Sequence, residues 1–345
     1  MKNNFIGEGV DQLGARKFCD AKDDWVSVSK RIPYLPNVYS VSWIRDYQAY
    51  HQGCGQSLSD LSLVLYHDNA PCGIWPLTIV SKVNNPLRMV ADKIAPPLLV
   101  SDLNPRTIKS INKSCISFIE NMVLSSGGNY WESAESFTDR SGISEWQNQA
   151  LLTGAKSTLS YELYIDLSLN LDRLRQYFRK SYKSLINSGL RHWETHIMDT
   201  PQEGAWEEYR ELHHKVSGRV TRSIETWELQ LQSIKEGHAF LVYLRQPDGR
   251  MVGGGYFNTT QNEATYSVGV YDRSLFRKPL GHVVQIKAIE EMKERDLAWY
   301  RIGNRPYSSD EEAPTDKQLT VGDFKQGFAS HIFPKFVLKH NLSNL

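Results

Sequence analysis

Cysteine is scarce in this sequence, and none of it is arranged to hold a metal or a staple. The 345 residues contain four cysteines, Cys19, Cys54, Cys72 and Cys115, spread through the first third without a C-x-x-C pair. That spacing excludes a disulfide framework and a zinc ribbon. An excess of one charge is also missing: 40 Lys and Arg stand against 39 Asp and Glu, a net +1. No global imbalance marks the chain as a nucleic-acid binder, although a basic face can hide within a balanced sum. Long apolar runs are absent too. The richest stretch, 58–81, is interrupted by Asp60, His67, Asp68, Pro71 and Pro76, far short of the ~20 apolar residues of a membrane helix. Residues 1–30 carry charges throughout and lack the apolar segment of a signal peptide. The expectation is a cytoplasmic protein without stable membrane insertion, its mature form beginning near Met1.

Several catalytic signatures are likewise missing. There is no H-E-x-x-H, no G-x-S-x-G and no G-x-x-x-x-G-K-[ST], so zincin, serine hydrolase and P-loop readings have no motif behind them. His213 and His214 are adjacent and diverge on a helix. No metal is assigned.

What is present is alternation of strands and helices. Residues 239–244 (AFLVYL) and 251–257 (MVGGGYF) flank the turn 246–249 (QPDG) and predict a hairpin. Ala264, Tyr266, Val268 and Val270 alternate with polar or small neighbours, the period of a strand. A helix follows from Pro279 at its first position, with Leu280, Val283, Val284, Ala288, Ile289 and Met292 as its apolar face. Residues 298–302 (AWYRI) predict one more strand. The first half repeats this order: strands at 61–66, 73–79 and 94–100, a helix carrying Ile108, Ile111, Cys115, Phe118, Ile119 and Met122, then a strand at 129–134. Corresponding elements are offset by 169 to 178 residues, which predicts two copies of one α/β unit. The boundary is placed near residue 165. The expected domains are 1–165 and 166–345, with the tail after about 326 packing back on the first.

Between the copies, a strand around 161–167 leads into one long helix over 172–193. That span holds six Lys or Arg and one acid, and Arg175, Arg179 and Lys183 lie four apart along one stripe. Such a stripe suits the phosphates of a nucleotide sugar, a coenzyme or an RNA; a solvated helix face is the alternative. The loop 217–223 (SGRVTRS) offers Arg219 and Arg222 for bidentate anion contacts. Gly253, Gly254 and Gly255 sit inside a strand, where a bulge or close approach of a ligand is the expectation. His282, in the first turn of its helix, is a candidate acid, base or anion contact, or simply packed. Lys325, between Phe324 and Phe328, is partly shielded and suited to a phosphate or a developing oxyanion.

The repeated unit, the basic segment 179–187 (RKSYKSLIN) and the terminal 324–328 (FKQGF) together resemble the FemAB-type branch of the GNAT acyltransferase superfamily, over roughly residues 40–335. The resemblance implies an α/β (α+β) fold of two tandem GNAT-like domains, each a mixed sheet flanked by helices. It implies acyl or aminoacyl transfer to an amine of a cell-envelope precursor, with Lys325 at the active site beside Phe324. Tyr266 or His282 would relay the amine proton, and Arg179, Lys183, Arg219 and Arg222 would bind substrate. The leading expectation is an N-acyltransferase using an acyl thioester, on coenzyme A or an acyl carrier protein, to acylate an amine of a cell-envelope glycan or nucleotide sugar. An aminoacyl-tRNA-dependent peptidoglycan-precursor transferase and a non-catalytic glycan- or nucleotide-binding module are the alternatives. No permanently bound cofactor is expected. The coenzyme A signature [Q/R]-x-x-G-x-[G/A] is matched only loosely by 278–283 (KPLGHV), and the long helical arm of some peptidoglycan members is missing.

Overall fold

A computed structural model describes residues 2–81, 93–135 and 142–342. The chain forms two compact units, Met1–Leu159 with Lys335–Leu345, and Ser160–Pro334. The division falls at Leu159/Ser160 rather than at 165, and the return to the first unit begins at Lys335 rather than near 326.

In the first unit, α1 (Lys2–Gln12), β1 (Ala15–Lys17), α2 (Lys22–Arg31) and α3 (Val41–Gly53) precede β2 (Ser57–Asp60), β3 (Leu63–His67), β4 (Ala70–Trp75), β5 (Thr78–Ser81) and β6 (Leu98–Leu99). Then come α4 (Pro105–Ser125), β7 (Tyr130–Ala134) and α5 (Glu145–Leu152). The sheet order is β1-β3-β4-β6, all antiparallel. Asp68 and Asn69 both take positive φ, 51° and 61°, giving the two-residue turn whose twist matches a β3–β4 hairpin. The single strand expected over 73–79 is broken: Pro76 cannot donate to a ladder, and β5 leaves to pair with β2. Helix α4 starts where Asn104 accepts the Thr107 N–H at 3.0 Å, with Pro105 following. Asn104→Ala should lower stability by about 1 kcal/mol, read as a shift in the denaturation midpoint.

The second unit contains β8 (Lys156–Asp166) from Ser160 on, α6 (Leu171–Tyr177), α7 (Lys180–His192), β9 (Glu194–Met198), α8 (Glu203–Ser217), α9 (Ile224–Lys235), β10 (Ala239–Arg245), β11 (Met251–Thr259), β12 (Glu263–Tyr271), α10 (Leu280–Glu294), β13 (Trp299–Asn304) and α11 (Asp316–Gln326). After it, β14 (His331–Asn341) passes to the first unit and pairs with β7 through Val337–Asn341. The strand order is β8-β13-β12-β11-β10-β9, antiparallel except for β12 with β13. One face carries α7 and α10 over a core including Phe240, Phe257, Val283 and Phe328. The other carries α8 and α9 over Leu241, Tyr256, Val268 and Trp227. The alternating burial of β10–β12 thus serves two cores, as the period of two requires.

The long helix expected over 172–193 is two helices. Phe178 and Arg179 are extended, at ψ 142° and 134°. Phe178 is buried against Phe328 at 5.3 Å between ring centres, and the Arg179 N–H is donated to the Gly327 carbonyl at 2.8 Å. A tertiary bond replaces the helical one, so Arg175, Arg179 and Lys183 do not form one stripe. Pro279 lies just before α10 rather than inside its first turn. Among the described residues no helix is long and apolar enough to cross a membrane.

Candidate active site

The parallel ladder between β12 and β13 joins Glu263–Thr265 to Trp299–Arg301 and stops. Both strands continue, β12 to Tyr271 and β13 to Asn304, so they part at a wedge. Two irregularities shape it. β12 has an extra residue at Ser267, seen where its register against β11 shifts between Tyr256 and Phe257. β13 has one at Ile302, where its register against β8 shifts between Arg301 and Gly303. Bulges of this kind end pairing and re-aim side chains. Beyond Thr265, alternate N–H groups of β12 face the side where β13 has withdrawn.

Helix α11 delivers Lys325 into this wedge. The ammonium lies 5.5 Å from the centre of the Tyr266 ring. It also rests on Gly303, whose φ is +135° and where a Cβ would come within 2.6 Å of Lys325 Nζ. Only glycine suits both that backbone and that approach. Burial, with the Arg301 guanidinium adding to it, pushes the Lys325 pKa down to about 8. Arg301 pairs with the buried carboxylate of Glu162.

Three residues of 324–328 have a packing reason. Phe324 covers Gly281, where a Cβ would meet its ring at 3.0 Å. Gly327 lies under Tyr182, whose ring would be 2.3 Å from a Cβ. Phe328 is fully buried in the core. The glycine of F-K-Q-G-F is therefore a consequence of Tyr182, which also donates its hydroxyl to the Phe324 carbonyl at 3.1 Å.

Tyr266 stacks on Phe257 at 5.2 Å and shares a 3.0 Å hydrogen bond with the Tyr271 hydroxyl. Its hydroxyl sits on Gly269, which is exposed and where a Cβ would lie 1.8 Å from that oxygen. Burial raises the Tyr266 pKa to about 12, so the phenol enters any reaction as a neutral acid. His282 is nearby but differently engaged. It stands edge-on to Tyr182 at 4.5 Å and Phe324 at 5.2 Å, and burial, aided by the Arg179 charge, lowers its pKa to about 4. It is a neutral ring in an aromatic cage.

Arg179 is held by Asp323 at 3.0 Å, one helical position from the Phe324–Lys325 pair, while Lys183 is exposed on α7. Lys325, Tyr266, Phe324, His282 and Arg179 therefore share the α10–α11 face. Arg219 and Arg222 do not: their loop joins α8 to α9 over the opposite face. Arg222 lies against the His213 ring at 3.1 Å and over Trp227 at 5.6 Å, and Arg219 is exposed. The link across the sheet is Tyr209 on α8, which donates to the Val268 carbonyl at 3.1 Å. The glycine run makes room for protein rather than ligand: Tyr271 crowds Gly253, Tyr209 crowds Gly254, and Val284 and Tyr266 crowd Gly255. Sequence reasoning missed Gly303 and Tyr271, neither of which has a signature outside the fold.

The first unit has a comparable place, and it is filled. Ile94 bridges Ser133 in parallel, after which the chain leaves for β6. Trp75 donates its indole N–H to the Ala95 carbonyl at 2.7 Å, and Trp146, from α5, donates to Ser133 Oγ at 3.1 Å. These indoles and Trp131 lie edge to face at 5.8 and 5.9 Å. Where α11 inserts a cation beside glycines, α5 inserts a tryptophan.

No family profile matches the sequence, and no curated protein matches it. Solved structures do. FemX superposes with a TM-score of 0.66 at 11% identity, covering 92% of this chain and 95% of that one. L-PGS from Bacillus licheniformis gives 0.55 at 12%, covering 92% and 90%. A tandem GNAT protein from the clavulanic acid biosynthesis pathway, without AcCoA, gives 0.53 at 13%, covering 94% and 95%. The chain thus has a FemAB-like fold of two tandem GNAT-like domains.

Proposed function

We propose that the chain is an N-acyltransferase whose reaction centre is the β12–β13 wedge of the second unit. The observation that carries this reading is the Lys325 ammonium seated on Gly303 where the parallel ladder ends. An amine attacks the carbonyl of an activated donor, and the negative charge that grows on its oxygen is met by Lys325 and the inward N–H groups of β12. Fixed donors in a partly dry site cost little reorganisation and stabilise that charge more than water does. Positioning of donor and amine supplies much of the remaining acceleration. In this reading the Tyr266 phenol gives its proton to the departing thiolate and takes back the proton that the attacking amine loses, so that amide and free thiol are formed with no net proton change.

The donor in this reading is an acyl thioester, and the acceptor an amine of a cell-envelope glycan or nucleotide sugar. Coenzyme A or an acyl carrier protein would present its phosphates to Arg273, Arg277 and Lys278, all exposed in the loop before α10. The backbone there is poorly suited to the task, because Pro279 has no N–H and the Leu280 N–H is donated to the Lys278 carbonyl at 3.0 Å. An aminoacyl-tRNA donor is the second reading, favoured by the exposed cations Lys180, Lys183 and Arg191 on α7. The purified protein should form amide from an acyl thioester and an amino-sugar nucleotide, followed by mass spectrometry, with a rate that changes little between 50 and 200 mM salt. A rate supported only by charged tRNA, and falling steeply over that range, would replace the thioester.

A further inference from the structure

Two acid-free stretches of sequence meet on one face of the second unit. No Asp or Glu stands between Asp172 and Glu194, nor between Asp272 and Glu290. The first stretch holds α7 and the second holds the loop that enters α10. Close packing joins them: a Cβ on Gly189 would lie 2.3 Å from Val283 and 2.9 Å from the Pro279 carbonyl. At the same end the Lys278 ammonium reaches His192 Nε2 at 2.6 Å and lies over the Trp193 ring at 5.5 Å. Helix α7 turns Tyr182, Ile186 and Gly189 inward, and its exposed positions are Lys, Arg, His, Ser and Asn alone. Lys180, Lys183 and Arg191 on that helix, with Arg273, Arg277 and Lys278 on the loop, are all exposed. The acids at the borders do not neutralise them, since Asp272 is held by Arg250 and Asp323 by Arg179, at 3.0 Å each.

The loop also displays an apolar tip. Phe276 is 63% exposed, with Arg273 on one side and Arg277 and Lys278 on the other. The turn that carries it is fixed: Asp272 accepts the Ser274 N–H at 3.0 Å and the Ser274 hydroxyl at 2.6 Å, and Leu275 packs on the core. The N–H groups of Leu275, Phe276 and Lys278 are donated to the carbonyls of Asp272, Arg273 and Leu275. What this loop offers a partner is therefore mainly charge and one phenyl ring, with little backbone left to read a base or cradle a single phosphate. We propose that this face docks on an anionic lipid bilayer, Phe276 entering the boundary between headgroups and acyl chains while the six cations meet headgroup phosphates. Apolar burial and attraction to anionic lipid add together in such a contact. A polynucleotide would use the same cations, but a bilayer alone offers an apolar layer directly beneath its charged surface. The inference goes beyond the reaction proposed above and does not depend on it.

The test reads binding and needs no turnover. The full-length protein is mixed with vesicles of phosphatidylcholine, alone or with about 30% phosphatidylglycerol, and partition is measured by cosedimentation in about 100 mM salt. Partition onto the anionic vesicles should be at least about tenfold stronger than onto the neutral ones, and should weaken as salt is raised. Lys183→Ala combined with Arg191→Ala should lower it roughly 20-fold, each cation near such a surface contributing about fivefold. Phe276→Ala should lower it roughly fivefold through the lost burial of its ring. Lys215→Ala combined with Lys235→Ala removes the same charge from exposed positions on α8 and α9, over the opposite face, and should leave partition within about twofold. Equal partition onto the two kinds of vesicle overturns the proposal. So does an equal loss in the Lys215 and Lys235 pair, or a Phe276→Ala variant that partitions unchanged. If vesicles are ignored while bulk tRNA binds, and the Lys183 and Arg191 pair abolishes that binding, the face belongs to a nucleic acid and the bilayer is excluded. Amide formation is assayed apart: docking without amide keeps this face and removes the transferase, whereas amide without docking does the reverse.

Discussion

Lys325→Ala should lower the rate of acyl transfer by roughly 10²–10³-fold, the loss seen when one oxyanion donor is removed from a preorganised site. Lys325→Met, which keeps the stem, should lose as much. Thermal stability should be preserved or improved in both, because the ammonium is held where burial disfavours its charge. Steady-state kinetics on the folded variants checks this, and an undiminished rate would remove the lysine from the chemistry. The pH dependence has a defined sign. With a pKa of about 8 in the folded protein, the ammonium is present below that value, so transfer should decline as pH rises through it. Stability moves the other way. The folded-state pKa lies below that of the unfolded chain, about 10.4. Between the two values the unfolded chain binds the additional proton, and the folded state gains stability as pH rises. Lys325→Met should abolish that gain.

Trp146→Ala should cost about 3–5 kcal/mol, the range for removing a large buried aromatic and leaving a cavity. In a protein of this size that corresponds to a fall in melting temperature of roughly 10 °C, measured by calorimetry as a shift of the transition of the first unit. The residue is 1% exposed, lies between Trp75 and Trp131, and gives its indole N–H to Ser133 Oγ. No rearrangement of a flexible side chain fills that volume, since its neighbours are themselves indoles. A loss below about 1 kcal/mol would mean that the wedge of the first unit closes readily, and that the tryptophan is not what holds it apart.

These two residues mark the limits of what the sequence discloses. Lys325 is legible as a candidate because its motif is local: two aromatics, a lysine and a glycine within five positions. The strands β10 to β12 and helix α10 were legible because their periods survive burial on two faces. The break at Phe178–Arg179 was not, since it depends on the Gly327 carbonyl, almost 150 residues away. Nothing in the local pattern distinguishes a helix that continues from one whose next N–H is claimed elsewhere. Pro76 was visible, and its effect on the strand over 73–79 follows from its missing donor. The placing of Arg219 and Arg222 is a matter of which face of the sheet their helices cover, and composition carries no information about that. Gly303 is one glycine among 23; its meaning comes from a bulge and from the lysine that rests on it.

The indole plug carries a kinetic implication. On the proposed reading, the donor seat of the second unit has no counterpart among the described residues of the first, where Trp146 fills the comparable place. Saturation by the donor should then follow a simple hyperbola for an isolated chain. A sigmoidal response would then point to association between chains, the comparable place in the first unit being packed with Trp75, Trp131 and Trp146.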